Sequence, residues 1–262
     1  MENYLKIENL NVLNVIKDFD IVINDKGIYS IVGKSSSGKT LLTKTFAGFI
    51  EYEGNINILG FSLKENIKKV RDKVGYLFED FNDMFICETV RKEYESELKK
   101  MNLKENEISL KIDEISSELN IKNLLDRSIV ELSGGEIKLV SIGLILLKNP
   151  SMLILDEPFD MLDDKEKNNV TKILKRLSKT IPVIIFSNNL SDILFSKKIF
   201  VLNEGKLVLS GKKDEVLKCE KELKKSGLCL PIMADLSNKL SYYGLLDNII
   251  LDIDKMVNKL WK

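Results

Sequence analysis

The fold of this 262-residue chain is decided by Gly33-Lys34-Ser35-Ser36-Ser37-Gly38-Lys39-Thr40. This segment follows the apolar run Ile28–Val32 and precedes a helical pattern over Leu41–Phe46. The spacing G-x-x-x-x-G-K-[ST] between a strand and a helix is typical of a phosphate-binding loop. A structural Gly/Ser turn is the alternative interpretation. We expect nucleotide phosphates to be bound by Gly33, Lys34, Ser35, Ser36, Ser37, Gly38, Lys39, Thr40 and Leu41.

The residue types in this loop explain the chemistry. Glycines allow backbone N–H groups to curl around phosphate oxygens at the N-terminus of a helix. Lys39 can reach the β- and γ-phosphate oxygens as a point charge, and the hydroxyl of Thr40 can ligate Mg²⁺. The loop therefore predicts a nucleoside triphosphate and Mg²⁺ as cofactors.

Further short apolar runs alternate with helical patterns along the chain. They are Asn55–Leu59, Val74–Phe78, Met152–Leu155 and Pro182–Phe186. Runs this continuous are typical of strands covered on both faces, so the pattern predicts an α/β fold with a parallel sheet. A hairpin is predicted where Ile199–Leu202 and Lys206–Leu209 flank a three-residue turn.

The pattern also predicts three regions. The main domain is expected at residues 1–214, with a helical insert at about 88–135. A small helical extension is expected at 215–262, where Asp252 can cap a last helix. Its apolar stripe consists of Ile253, Met256, Val257 and Leu260. A tail of this size cannot bury such a stripe alone, so we expect it to pack on the main domain or on another chain.

The composition excludes several function classes. The chain has 40 Lys+Arg, 40 Asp+Glu and no histidine. Zinc hydrolases and Ser-His or Cys-His catalysts, which depend on histidine, are excluded. The balanced charge gives no support for a nucleic-acid partner, and we expect none. The three cysteines are expected to be buried thiols in a reducing compartment.

A second chemical motif is the apolar run over residues 151–155 followed by Asp156-Glu157-Pro158. Asp156 is placed to hold Mg²⁺ through water, and Glu157 is placed to polarise an attacking water molecule. An acidic pair before proline is also an ordinary way for a strand to end. The phosphate loop is what favours the catalytic interpretation.

A third motif is Leu132-Ser133-Gly134-Gly135-Glu136, which precedes a helical pattern over Ile137–Leu147. A capping box explains Ser133 and Glu136. It does not explain two consecutive glycines, which would let backbone N–H groups approach an anion at the positive end of the helix. Ser133, Gly134 and Gly135 are therefore candidate nucleotide contacts.

Taken in this order, the phosphate loop, LSGG, LILDEP and Leu162-Asp163 resemble the ATP-binding-cassette (ABC) ATPases over about residues 1–214. The tail, with Gly227-Leu228 followed by Pro231, is similar to the C-terminal extension of the energy-coupling-factor subfamily. ATPases of that subfamily drive bacterial vitamin and metal-ion uptake. The resemblance implies a P-loop NTPase fold and hydrolysis of ATP.

The resemblance also implies partners. Two cassettes pair head to tail, and each ATP lies between the phosphate loop of one chain and the LSGG of the other. An integral membrane subunit contacts a surface groove near the segment Glu79–Val90, and ATP hydrolysis moves that subunit through this contact. The chain is expected on the cytoplasmic side of the cell membrane as a peripheral subunit.

The sequence departs from the family pattern at four positions. Glu79 replaces a glutamine; its carboxylate can still ligate Mg²⁺ but cannot donate a hydrogen bond to water. Asn188 replaces the switch histidine and is shorter and never cationic. Asn14 lies near the place of the aromatic residue that stacks on adenine, for which Tyr4 is a poor substitute. Ser36 lies where a further loop glycine is usual.

Three function classes remain open at this point. The first is an ATPase subunit that energises a membrane importer, with Glu157, Glu79 and Asn188 as catalytic residues and Thr40, Asp156 and Glu79 as metal ligands. The second is a catalytically weak nucleotide-binding subunit that completes the active site of a partner cassette. The third is a cassette protein without a membrane partner; the single cassette and the lack of a long coiled-coil insert argue against it.

Overall fold

The computed structural model describes residues 3–80 and 85–260, and it has an α/β architecture with two sheets. The strands are β1 (Leu5–Val12), β2 (Ile16–Ile23), β3 (Gly27–Val32), β4 (Glu53–Ile58), β5 (Phe61–Ser62), β6 (Val74–Leu77), β7 (Met152–Asp156), β8 (Pro182–Ser187), β9 (Lys198–Asn203) and β10 (Lys206–Gly211). The larger sheet has the order β10-β9-β3-β8-β7-β6. All its pairs are parallel except β9 with β10, so the predicted parallel sheet and hairpin are confirmed.

The second sheet is antiparallel, with the order β2-β1-β4-β5. Its strand β4 contains residues 55–58 of the run Asn55–Leu59, so the expectation that this run joins the parallel sheet was wrong. Its β1–β2 hairpin was not predicted from the sequence. The register of that pair shifts between Ile7 and Leu10, where Asn9 has a φ of 51°, and again between Leu10 and Val12. These irregularities break the alternating pattern by which strands are recognised.

Helices cover the sheets and form the insert and tail. They are α1 (Lys39–Phe46), α2 (Ile67–Lys73), α3 (Val90–Lys99), α4 (Glu105–Glu118), α5 (Gly134–Leu147), α6 (Asp164–Leu177), α7 (Lys213–Lys218), α8 (Glu220–Lys225), α9 (Ile232–Tyr242) and α10 (Ile253–Leu260). The proposed insert, about residues 88–135, contains α3, α4 and the 3₁₀ turns Lys122–Leu124 and Ile129–Glu131. Both α3 and α4 pack against α5.

The central strands of the larger sheet are buried on both faces. In β7, Leu153 and Leu155 join the apolar cluster on one face, which also includes residues of α5, and Ile154 joins the cluster on the other. Every residue of β7 and β8 is buried. This double cover fixes the carboxyl end of β7, where Asp156 lies.

The tail differs from expectation in how its apolar stripe is used. Asp252 caps α10 as predicted, since its Oδ1 accepts from the N–H of Lys255 at 2.8 Å. Met256 is 3% exposed, so the chain itself covers it. Ile253 is 65% exposed and Val257 is also exposed. The stripe is therefore divided between a buried residue, Met256, and two exposed ones, Ile253 and Val257, so the exposed apolar surface is narrower than the sequence suggests.

The expectation for the cysteines was also wrong. Cys87 and Cys219 are half-buried and Cys229 is exposed. Burial therefore does not protect the thiol of Cys229.

Candidate nucleotide-binding site

The loop over residues 33–40 connects β3 to α1 at the carboxyl edge of the larger sheet, and its conformation depends on small residues. A Cβ at Gly33 would lie 2.4 Å from the carbonyl oxygen of Leu202. Gly38 has a φ of 109°, which L side chains rarely adopt. Ser36 has a φ of 64°, so this position also lies in the left-handed region. The conformation explains why glycine is usual there in the family.

Lys39 is buried at the base of the loop. Its Nζ donates to the carbonyl oxygens of Gly33 at 2.9 Å and Lys34 at 3.3 Å. It also lies 3.5 Å from Oε1 of Glu157. These contacts place a cation between the loop backbone and the end of β7. An ammonium held there can bind phosphate oxygens at the loop.

Thr40, Glu79 and Asp156 provide the oxygen atoms for a cation. The hydroxyl of Thr40 donates to Oε2 of Glu79 at 2.9 Å. Asp156 is fully buried, and neither of its carboxylate oxygens has a hydrogen-bond partner in residues 3–80 and 85–260. Burial, together with the carboxylates of Glu157 and Glu79, raises the pKa of Asp156 to about 7, while the nearby Thr40 hydroxyl and the ammonium of Lys39 act in the opposite direction.

These residues fit Mg²⁺. A buried carboxylate without a partner is costly unless a proton or a cation compensates it. The described residues contain no group of three or more His, Cys, Asp or Glu side chains that could hold a metal alone. Mg²⁺ is usually bound by one or two carboxylates together with substrate phosphates and water, so it does not need such a group.

Glu157 lies directly after β7 in a left-handed conformation, with a φ of 46°. Its N–H donates to the carbonyl oxygen of Phe186 at 2.9 Å. Its Oε2 accepts from the main-chain N–H of Asn188 at 3.2 Å. Burial raises the pKa of the Glu157 carboxyl, and Lys39 opposes the shift. The carboxylate is thus held near the loop, where it can accept a hydrogen bond from water.

Asn188 contacts this carboxylate through its backbone. The side chain of Asn188 is exposed, and a main-chain N–H is available from any residue except proline. The structure therefore brings Asn188 to the site without giving its side chain a described contact there.

Most of the predicted residues line one cleft of about 480 Å³. The residues that line it are Val15, Ser35, Ser36, Gly38, Lys39, Thr40, Leu41, Glu79, Glu157 and Asn188. Val15 was missed by sequence reasoning, which concentrated on Asn14. The short apolar side chain gives no signal of its own. Tyr4 packs instead against the apolar cluster that is formed by residues of both sheets and of α1.

The LSGG segment lies apart from this cleft. Among the described lining residues, none comes from positions 133–135. Ser133 caps α5 through the predicted capping box, in which its N–H donates to Oε2 of Glu136 at 2.8 Å. A Cβ at Gly134 would lie 2.5 Å from Sδ of Met161, and one at Gly135 would lie 2.7 Å from the carbonyl oxygen of Met161. Packing within the chain therefore also explains these glycines.

Lys138 is a second residue that sequence reasoning missed. It lies in α5 with 1% of its surface exposed, and its Nζ donates to the carbonyl oxygen of Glu157 at 3.1 Å. A lysine in an otherwise apolar helix usually extends to solvent, so its burial could not be predicted.

The site combines a phosphate loop, between a strand and a helix at one sheet edge, with an Asp-Glu pair at the end of a neighbouring strand. This combination defines a phosphate-loop nucleoside triphosphatase. Residues 16–160 match the family model described as ABC transporter. The chain belongs to this family, and it is an ABC-type ATPase coupled to transport.

Several known proteins are similar over most of the chain. The energy-coupling factor transporter ATP-binding protein EcfA1 of Mycoplasmoides gallisepticum is 29% identical, over 92% of this chain and 91% of its own length. EcfA2 of Caldanaerobacter subterraneus is 32% identical, over 92% and 90%. The solved structure of cbiO1 from Clostridium perfringens, described as part of the ABC transporter complex cbiONQ, is 27% identical. It has a TM-score of 0.74 and covers 90% of this chain and 99% of that chain.

Proposed function

We propose that this chain is an ATP-hydrolysing subunit of an energy-coupling-factor-type importer for a vitamin or a metal ion, and that it works as one half of a cassette dimer. The contact that carries the proposal is the 3.5 Å separation of Lys39 Nζ from Glu157 Oε1 inside the cleft. It brings the phosphate-binding cation and the candidate base together. The names of the similar EcfA1 and EcfA2 proteins support the importer type.

The residues have distinct roles in hydrolysis. Backbone N–H groups of the loop and the ammonium of Lys39 bind the phosphates of ATP. Thr40, Asp156 and Glu79 would hold Mg²⁺, which would neutralise developing charge on the phosphate oxygens. The Glu157 carboxylate orients and polarises the attacking water.

A second cassette completes the site. Ser133, Gly134 and Gly135 do not line the chain's own cleft, but they form the N-terminus of α5, where an anion is favoured. We expect them to contact the γ-phosphate of a nucleotide bound to the phosphate loop of the partner. Each chain then contributes to both composite sites.

The membrane subunit is proposed to bind the surface that includes the described part of the segment Glu79–Val90. Phe81, Asn82, Asp83 and Met84 lie outside the described residues. Ile86, Val130 and Phe49 are large apolar side chains that are exposed on this cassette. No helix in the described ranges is long and apolar enough to cross a membrane. Binding to an integral subunit at the cytoplasmic face gives the chain its peripheral position.

The C-terminal extension, residues 215–262, is proposed to hold two cassettes together. Ile253 and Val257 are exposed on α10, and Ile232 and Tyr242 are exposed on α9. An apolar surface of this kind is covered when the extension packs against the C-terminal extension of the partner cassette, whether the partner is a second copy of this chain or a different cassette.

Asn188 favours a second candidate function, a subunit whose own site turns over slowly. Its side chain is exposed and its described contact with Glu157 uses the backbone, so the site lacks the donor that a histidine supplies in the family. Glu79 adds a carboxylate beside Thr40 where the family has a neutral amide. In this case the LSGG of the chain serves an active partner site.

The proposal is tested by co-expressing the chain with a membrane subunit and a second cassette of the energy-coupling-factor type. ATP hydrolysis and solute uptake by the assembled complex are then measured. Lys39→Ala is expected to abolish the hydrolysis that depends on this chain's loop. Lys44→Ala, which removes an exposed lysine from the same helix, is the matched control. An assembled complex that hydrolyses no ATP and takes up no solute would contradict the proposal.

A further inference from the structure

Lys138 connects the helix of the LSGG segment to the candidate base. It is a fully buried lysine whose neighbours in α5, Leu139 and Val140, are apolar. Its Nζ donates to the main-chain oxygen of Glu157 at 3.1 Å. A buried ammonium is costly unless it is hydrogen-bonded and compensated by negative charge, so negatively charged groups are expected close to Lys138.

The surroundings of Lys138 supply that compensation. Burial lowers the pKa of Lys138, and the carboxylates of Asp160, Asp156 and Glu157 oppose that shift, as does Glu79. The lysine is thus the second buried cation, after Lys39, to act on the carboxylates at the end of β7.

The position of Lys138 along α5 is equally informative. Lys138 follows Gly134 by four residues, so one helical turn, about 6 Å of rise, separates the two. Gly134 and Gly135 pack against Met161, four residues after Glu157. The N-terminal turns of α5 therefore contact the segment 157–161 at both of its ends.

We propose that Lys138 is a positioning residue for hydrolysis: it holds the backbone of Glu157, and so orients its carboxylate, from the helix that contacts the partner's nucleotide. This inference rests on the proposed function. The left-handed conformation of Glu157 is unfavourable for a residue other than glycine, and a hydrogen bond to its carbonyl oxygen stabilises it.

Lys138→Met tests the proposal, because methionine fills a similar volume without an N–H donor. In single-turnover hydrolysis by an excess of purified chain, we expect a rate about tenfold below wild type, with Mg-ATP binding no weaker than in wild type. The melting temperature is expected to fall, since the carbonyl oxygen of Glu157 loses its donor and the nearby buried carboxylates lose a compensating cation. Leu139→Met, at a buried position of the same helix, controls for altered packing. An unchanged rate for Lys138→Met, or an equal loss for Leu139→Met, would overturn the proposal.

Two further variants separate positioning from a general structural role. Lys138→Arg keeps the charge and N–H donors, and we expect a rate within about threefold of wild type. In a Glu157→Gln background, Lys138→Met is expected to lower the rate by less than about twofold, because both changes act on one carboxylate. A Lys138→Arg rate as low as that of Lys138→Met, or fully additive losses in the double variant, would refute the positioning role.

The Mn²⁺ affinity of the chain with a non-hydrolysable ATP analogue gives a result that does not depend on turnover. Removing a cation from the carboxylate cluster in Lys138→Met is expected to tighten Mn²⁺ binding by about threefold or more. Unchanged Mn²⁺ affinity would show that Lys138 does not act on the site. If neither wild type nor assembled complex hydrolyses ATP, the proposed function fails, while the Mn²⁺ titration still decides the placement of Lys138.

Discussion

Substitutions at Glu157 and Ser133 distinguish the two composite sites of an assembled dimer, because each residue serves a different site. Glu157→Gln removes the candidate base from the site built on this chain's own loop. Ser133→Arg places a bulky cation where backbone must approach the γ-phosphate on the partner's loop. In a dimer with an intact partner cassette, we expect Glu157→Gln to leave most of the turnover and Ser133→Arg to abolish most of it.

The magnitude follows from the contacts of Asn188. Its described contact is a main-chain N–H donated to Glu157 at 3.2 Å, and its side chain is exposed. Loss of one transition-state donor costs about 3 kcal/mol, or about 100-fold in rate. The chain's own site is then expected to supply about 1% of the turnover of a dimer whose partner site is intact. Glu157→Gln is expected to remove about that fraction.

Steady-state phosphate release from the assembled complex is the assay. Ser133→Ala is the matched control, since it loses the same helix cap, about 1 kcal/mol of stability, without obstructing the nucleotide. Glu79→Gln combined with Asn188→His is expected to raise the rate of the slow site by about 100-fold. Near-complete loss of activity in Glu157→Gln alone would show that this chain's own site carries the hydrolysis, and it would refute the slow-site reasoning.

Three other expectations can be checked with purified protein. Lys39→Ala should weaken Mg-ATP binding at least about tenfold in an equilibrium titration, because a charge-assisted contact is worth about 1.5–3 kcal/mol; equal affinities would remove the basis of the site. Val15 lines the cleft and offers no aromatic ring, so the affinities for ATP and GTP should lie within about tenfold of each other, and Val15→Tyr should favour ATP. A larger preference in wild type would show that another residue recognises the base. Ile253→Asp with Val257→Asp should shift the protein toward monomer in sedimentation with little change in melting temperature, because both side chains are exposed in the single chain; a double variant that stays associated would contradict the role of α10 in dimerisation.

The phosphate loop and the central strands could be predicted because local sequence decides them. The loop needs glycine at positions where a Cβ would collide, and β7 and β8 are continuous apolar runs because both faces are covered. The placement of β4 could not be predicted, since its pairing with β1 depends on a partner more than forty residues away. A strand's own composition does not identify its neighbour.

The part of the site that escaped prediction consists of residues whose role depends on what packs against them. Val15 and Lys138 are of ordinary types for a turn and a helix, and only the folded chain brings them to the cleft and to Glu157. The apolar stripe of α10 gave the opposite error. Its periodicity is that of one face, but the chain covers Met256 and leaves Ile253 exposed.

The close approach of Met161 to Gly134 and Gly135 limits what natural variants or library screens can reveal about the LSGG segment. A methyl group at Gly135 would meet the Met161 carbonyl oxygen at 2.7 Å within the same chain. An inactive alanine variant at that position therefore reports a displaced backbone as much as a lost nucleotide contact. Ser133 is exposed in the single chain, so a substitution at position 133 reports on contacts with a partner more directly than one at Gly135 does.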